Sequence, residues 1–131
     1  MDAAVIADTD VIIDFFAGRE PFASRIVDLV DKSALALTAV TVFELYAGVT
    51  DSRRLKQIDD LISLLPVYPL DRIDAVMAAQ IYSDLKNTGL LIGHQDILIA
   101  AICIARDLPL MTRNIEHFSR IKRLKLYTCD L

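Results

Sequence analysis

An α/β sandwich around a mainly parallel sheet is the fold class this sequence predicts, and three observations predict it. Short apolar runs alternate with longer stretches of helical periodicity, the pattern of strands joined by crossover helices. The interior of Gln95–Arg106 is apolar on every side, as in a helix buried all round. Polar and acidic residues stand just beyond the apolar runs, at the carboxyl ends of the expected strands, where open parallel sheets bind their ligands.

The elements follow in order. Ala3 to Ala7 is a short apolar run ending at Asp8 and fits a buried strand. Pro21 opens a helix carrying Phe22, Ile26, Leu29 and Val30 at helical spacing. Ala34 to Val40 is the second strand, and Thr41 to Ala47 a short helix closed by Gly48. Leu55, Ile58, Ile62 and Leu65 mark an amphipathic helix stopped by Pro66. Val67 to Leu70 gives a further short strand. Ile73, Val76, Met77, Ile81 and Leu85 form one face of a long helix with Gly89 as its C-terminal cap. Leu108 to Met111 and Lys125 to Thr128 complete the strands.

The bulk numbers narrow the class. At 131 residues the chain is one domain (1–131), large enough to bury a core without staples. Hydrophobic residues make up 54% of it and mean hydropathy is +0.42. That surplus goes into a large core, a subunit interface, or both. The longest apolar run, Ile97 to Ala105, is too short to span a bilayer. Met1-Asp2 is not followed by a basic segment and an apolar one, so no secretory signal is expected. Cys103 and Cys129 have neither disulfide-framework nor metal-ligand spacing, and Cys103 reads as a small core residue; a reducing cytoplasm is the expected setting. The net charge of −4 opposes nucleic-acid binding by bulk attraction. Basic residues nevertheless cluster at Arg113, Arg120, Lys122, Arg123 and Lys125, and again at Arg53, Arg54 and Lys56, where either group holds a phosphate backbone or forms a solvated face.

Four segments send acidic or amide side chains to one sheet edge. Asp8, Thr9 and Asp10 follow the first strand, and Thr41 and Glu44 the second. Thr112 and Asn114 follow Leu108–Met111, and Asp96 stands in the first turn of the all-apolar helix. Each has an ordinary alternative. Asp96 serves as a helix N-cap, Thr41 and Glu44 fit a capping box, Asp8 and Asp10 open a helix, and Asn114 turns the chain. Convergence favours a site: three carboxylates within a few ångströms share protons or hold a cation, and all-oxygen donors suit Mg²⁺ or Mn²⁺. His94 reads as a solvent-facing residue ahead of a helix, and His117 has no partner implying a triad. No Ser-His-Asp or Cys-His arrangement, P-loop or G-x-G-x-x-G occurs, which leaves metal-assisted hydrolysis.

At these residues the chain resembles a known family. Ile6-Ala7-Asp8-Thr9-Asp10-Val11-Ile12-Ile13-Asp14, Thr41-Val42-Phe43-Glu44-Leu45-Tyr46-Ala47-Gly48, Asp96-Ile97-Leu98-Ile99-Ala100-Ala101 and Thr112-Arg113-Asn114-Ile115-Glu116-His117-Phe118 are similar to the four successive motifs of PIN domains. The likeness is greatest to VapC-type toxins of toxin–antitoxin pairs. It implies a single-domain α/β/α sandwich and a Mg²⁺- or Mn²⁺-dependent endoribonuclease, cleaving RNA and paired with an antitoxin. Asp8, Glu44 and Asp96 fall on the family's acidic metal-site positions, and Asn114 on the fourth, where an oxygen ligand is kept but a charge is lost. Glu116, two residues on, is the candidate to restore that charge. Thr9 and Thr112 fall on positions that support the site, with Asp10 beside them, and Arg113 is placed to assist charge on a phosphate. A homodimer is expected from the apolar surplus.

Other readings share parts of this pattern. Asp8-Thr9-Asp10-Val11 resembles the first motif of haloacid-dehalogenase-like phosphatases, whose later Lys and Gly-Asp-x-x-x-Asp are not evident. A receiver-like Mg²⁺-binding domain would use Asp71 after Val67–Leu70, but the Lys it needs is missing. Within the PIN class, an RNA-processing nuclease without an antitoxin is the alternative to a toxin.

Overall fold

The computed structural model describes residues 3–129. The residues on which the absence of a signal peptide was read, Met1 and Asp2, lie outside them. Strands β1 (Val5–Ala7), β2 (Leu35–Thr38), β3 (Val67–Tyr68) and β4 (Leu110–Met111) form one parallel sheet in the order β3-β2-β1-β4. Val5 pairs with Leu35, Ile6 with Leu110 and Leu37 with Val67, which fixes the register. Helices α1 (Thr9–Phe16), α2 (Phe22–Asp31), α3 (Ala39–Ala47), α4 (Ser52–Ile62), α5 (Arg72–Asn87), α6 (His94–Ala105) and α7 (Ile115–Phe118) cover its faces.

Side chains alternate across a strand, and here each set meets its own layer. Ile6, Ala36 and Leu110 pack with Ile81 and Leu85 of α5, Ile99 and Ile102 of α6, and Phe118. Val5, Ala7, Leu35, Leu37 and Met111 pack with Val11 and Ile12 of α1, Ile26 and Leu29 of α2, and Ile58 and Leu61 of α4. Both faces are therefore buried, which is why β1 and β2 read as unbroken apolar runs and why the architecture is α/β/α. Each fully buried Ile or Leu contributes roughly 1.5–3 kcal/mol. No helix among the described residues is long and apolar enough to cross a membrane.

Several expectations shift. The second strand stops at Thr38, whose side chain accepts from the Thr41 N–H and starts α3 at Ala39, two residues before the expected start. On α5 the inward residues are Asp74, Ala78, Ile81 and Leu85, while Ile73 and Val76 are 72% and 55% exposed. Asp74 turns the helix. Its carboxylate accepts the Asp71 N–H in a capping box and meets Arg106 Nη1 at 2.9 Å, so this acid takes the inner face and the branched residues rotate outward. Lys125 to Thr128 forms no strand. Leu126 makes one parallel bridge to Leu110, through the Leu110 N–H to the Lys125 carbonyl at 2.9 Å and the Tyr127 N–H to the Leu110 carbonyl at 2.8 Å. Gly89 has φ of +71°, a conformation glycine adopts without strain, and its N–H returns to the Lys86 carbonyl to end α5.

Candidate active site

Asp8 is fixed where β1 passes into α1. Its backbone N–H donates to the Met111 carbonyl at 2.9 Å, locking it beside the end of β4. Asp8 Oδ1 caps α1 by accepting the Thr9 N–H at 2.8 Å. Oδ2 accepts from Thr112 Oγ1 at 2.7 Å. Asp8 is thus a helix cap and a buried member of the cluster at once.

Thr112 joins three residues. Its hydroxyl lies 3.3 Å from Asp10 Oδ2 as well, but it has one proton, and the shorter approach gives that proton to Asp8. The same oxygen accepts the Asn114 N–H at 3.0 Å. Asp10 Oδ2 accepts the Arg113 N–H at 3.0 Å, while Asp10 Oδ1 is buried with no hydrogen-bond partner among the described residues.

Glu44 and Asp96 come from the other two segments. Because α3 begins at Ala39, Glu44 stands in its second turn and does not close a capping box; its Oε1 accepts from Thr9 Oγ1 at 2.7 Å. Asp96 is the third residue of α6, whose N-cap is Gly93, so its side chain is no cap. Both capping alternatives from the sequence are overturned by where these helices start.

The electrostatics bind the four acids together. Burial, then the charge of Asp10, pushes the Asp8 carboxyl up to about 7, against the hydrogen bonds from Thr112 and Thr9. Burial also raises Asp10, opposed mainly by Arg113. Asp96 is raised by burial and by the charge of Glu44, and His117 draws it back down. Among the described residues no three Asp, Glu, His or Cys side chains form a ready-made metal cage. The cluster is partly exposed at Asp10, Glu44 and Asp96, with the Thr112 hydroxyl between Asp8 and Asp10 and the Thr9 hydroxyl on Glu44.

The outer residues divide. Arg113 leans on the cluster, with Nη1 3.3 Å from Asp14 and Nε 4.0 Å from Asp10. Glu116 is exposed and faces Arg120 at 3.9 Å, so the structure does not bring it to the acids. Arg53, Arg54 and Lys56 lie on α4: Arg54 covers the Phe16 ring at 5.0 Å and Lys56 pairs with Asp60 at 3.2 Å. Phe16 ends α1, and eight residues of helical rise put it about 12 Å from Asp8. Asp71, the candidate of the receiver-like reading, caps α5 and pairs with Arg106.

Two residues were missed. Asp14, 3% exposed, holds both Arg113 and Arg19. His117, read as partnerless, has Nδ1 2.9 Å from Asn114 Nδ2 and acts on Asp96. The only signal for it was the three-residue spacing from Asn114, which places both on one side of a helix. His94 is exposed at the start of α6, edge-on to Tyr82.

Fold and site define an α/β/α domain with a carboxylate cluster at the carboxyl edge of its parallel sheet. The PIN-domain family model matches residues 5–124. The chain belongs to the PIN-domain family. Ribonuclease VapC1 of Methanocaldococcus jannaschii is 28% identical to it over 128 residues, 96% of this chain and 88% of that protein. Ribonuclease VapC3 of the same organism is 35% identical over 102 residues, 78% of this chain and 98% of its own length. Among solved structures, VapBC2 from Rickettsia felis, bound to a DNA fragment from its promoter, superposes with a TM-score of 0.86 at 24% identity, covering 99% of this chain and 100% of that one. That last likeness bears on the fold.

Proposed function

We propose that this chain is a Mg²⁺- or Mn²⁺-dependent endoribonuclease acting as the toxin of a toxin–antitoxin pair. The observation that carries the reading is the four-carboxylate cluster of Asp8, Asp10, Glu44 and Asp96 with Asp10 Oδ1 buried and unpartnered. A buried acceptor without a donor is costly, and a cation is the partner such an oxygen lacks. The donor set is oxygen throughout, which fits a hard divalent ion and not zinc.

Asp8, Glu44 and Asp96 would hold the ion, with Asp10 Oδ1 and the neutral Asn114 amide as further oxygen donors. An ion held there would supply Lewis acidity toward a scissile phosphate and toward the attacking water. Thr9 orients Glu44, and Thr112 orients Asp8. Arg113, anchored through Asp14, presents a guanidinium to a phosphate oxygen at the cluster's rim. Asp10 concentrates negative charge beneath the site, so RNA approaches only when that charge is offset. The reaction is hydrolysis of a phosphodiester by water.

The same chemistry names an inhibitor. An open cluster of acids is a receptor for an Arg side chain, and a flexible antitoxin tail brings one. Phe43, 62% exposed beside Glu44, offers such a tail, or a second copy of the chain, an apolar foothold. The VapC names of the relatives favour this over a stand-alone RNA-processing nuclease.

Incubation of the purified chain with single-stranded RNA tests the proposal. Cleavage is expected in Mg²⁺ or Mn²⁺ and none in EDTA. Undiminished cleavage in EDTA, or none with either ion, would overturn it.

A further inference from the structure

His117 lies at the edge of the site and has no place in the mechanism above, yet its surroundings are specific. Asn114 is held from two sides. Its backbone N–H donates to Thr112 Oγ1 at 3.0 Å, and that hydroxyl donates to Asp8 at 2.7 Å. Its side-chain Nδ2 lies 2.9 Å from His117 Nδ1. An amide nitrogen has only protons to give and no lone pair to accept with. With the amide nitrogen as donor, His117 Nδ1 is the acceptor, which is the tautomer carrying its proton on Nε2.

An amide differs from a carboxylate in having two unlike ends. A carboxylate offers oxygen whichever way it turns; an amide rotated by half a turn offers N–H groups that repel a cation. A site with Asn114 in place of an acid consequently needs something to choose the amide's orientation. An imidazole acceptor on the nitrogen end does so, because it leaves Oδ1 as the end available to the cluster.

We infer that His117 is a positioning residue, which fixes the Asn114 side chain through the Nδ2–Nδ1 hydrogen bond so that Asn114 presents oxygen, and not nitrogen, to the ion. This rests on the metal-site reading above. Glu116, the neighbour expected to supply the missing charge, points away to Arg120, so the fourth position is served by a neutral pair of side chains.

Mn²⁺ titration calorimetry on six forms tests this: wild type, Asp96→Asn, His117→Ala, His117→Gln, Asn114→Asp, and the pair His117→Ala with Asn114→Asp. Losing one orienting hydrogen bond weakens Mn²⁺ binding by about fivefold in His117→Ala. His117→Gln, whose amide oxygen can still accept from Asn114, keeps affinity within about twofold. In the Asn114→Asp background the carboxylate needs no orienting, and removal of His117 leaves affinity unchanged or tighter. Thermal melts of each variant show whether the fold persists. An equal loss in both backgrounds, or none in wild type, would overturn the inference while Asp96→Asn still abolishes binding. If wild type binds no Mn²⁺ at all, the metal reading falls and takes this one with it.

Discussion

Replacing Asp8 by Asn should stabilise the metal-free protein, although Asp8 is among the residues assigned to its chemistry. The carboxyl is buried beside Asp10, and its pKa rises from 3.8 to about 7. Between those values the folded state holds a proton that the unfolded state has released. Stability is then fully present below about pH 4, falls as pH rises towards 7, and is level above it. The displacement corresponds to about 4 kcal/mol at full ionisation. Asn keeps the cap on the Thr9 N–H but brings an amide N–H to face Thr112, whose hydroxyl must reverse to accept it. The expected gain is therefore about 2–4 kcal/mol near pH 8 and close to zero near pH 4. Urea unfolding in EDTA at the two pH values measures it. A divalent ion should stabilise wild type and have much less effect on the variant. A gain of equal size at both pH values, or a loss near pH 8, would refute the reasoning.

Two further outcomes follow from the same geometry. Asp74→Ala should cost about 2–3 kcal/mol, since it removes a capping box and the 2.9 Å bond to Arg106, which keeps Asp71 at 3.8 Å; urea melts read it, and a cost below about 1 kcal/mol would show the pair to be incidental. Arg113→Ala should lower RNA affinity more than the combined changes Arg53→Ala, Arg54→Ala and Lys56→Ala, because of these four only Arg113 reaches the cluster acids; anisotropy with a labelled, non-cleavable RNA analogue in Mg²⁺ ranks them, and the reverse ranking would move the RNA path to α4.

What the sequence disclosed depended on how local its signals were. β1 and Asp8 were legible because a strand buried on both faces is an unbroken apolar run, and the residue ending it must lie at the sheet edge. Asp96 was legible as a candidate because it opens the all-apolar helix, and its capping role was excluded only by α6 starting at His94. Glu44 posed the same ambiguity, which Thr38 settled by starting α3 early. The inner face of α5 held at Ile81 and Leu85 but not at Ile73 and Val76, because a buried Asp74 paired with Arg106, 32 residues away, leaves no trace in hydrophobic periodicity. His117 was missed because α7 has only four residues, too few for a pattern. The grouping of Arg53, Arg54 and Lys56 with RNA rested on charge alone, and charge does not say which layer a helix occupies.

The central claim is that Asp96 acts on an ion and not on the architecture, and Asp96→Asn tests it most directly. Asn preserves size and polarity, and Gly93 holds the N-cap position, so α6 loses no cap bond. Single-turnover cleavage of RNA in saturating Mg²⁺ should disappear while the melting temperature stays within a few degrees of wild type. Cleavage at the wild-type rate by this variant would contradict the account.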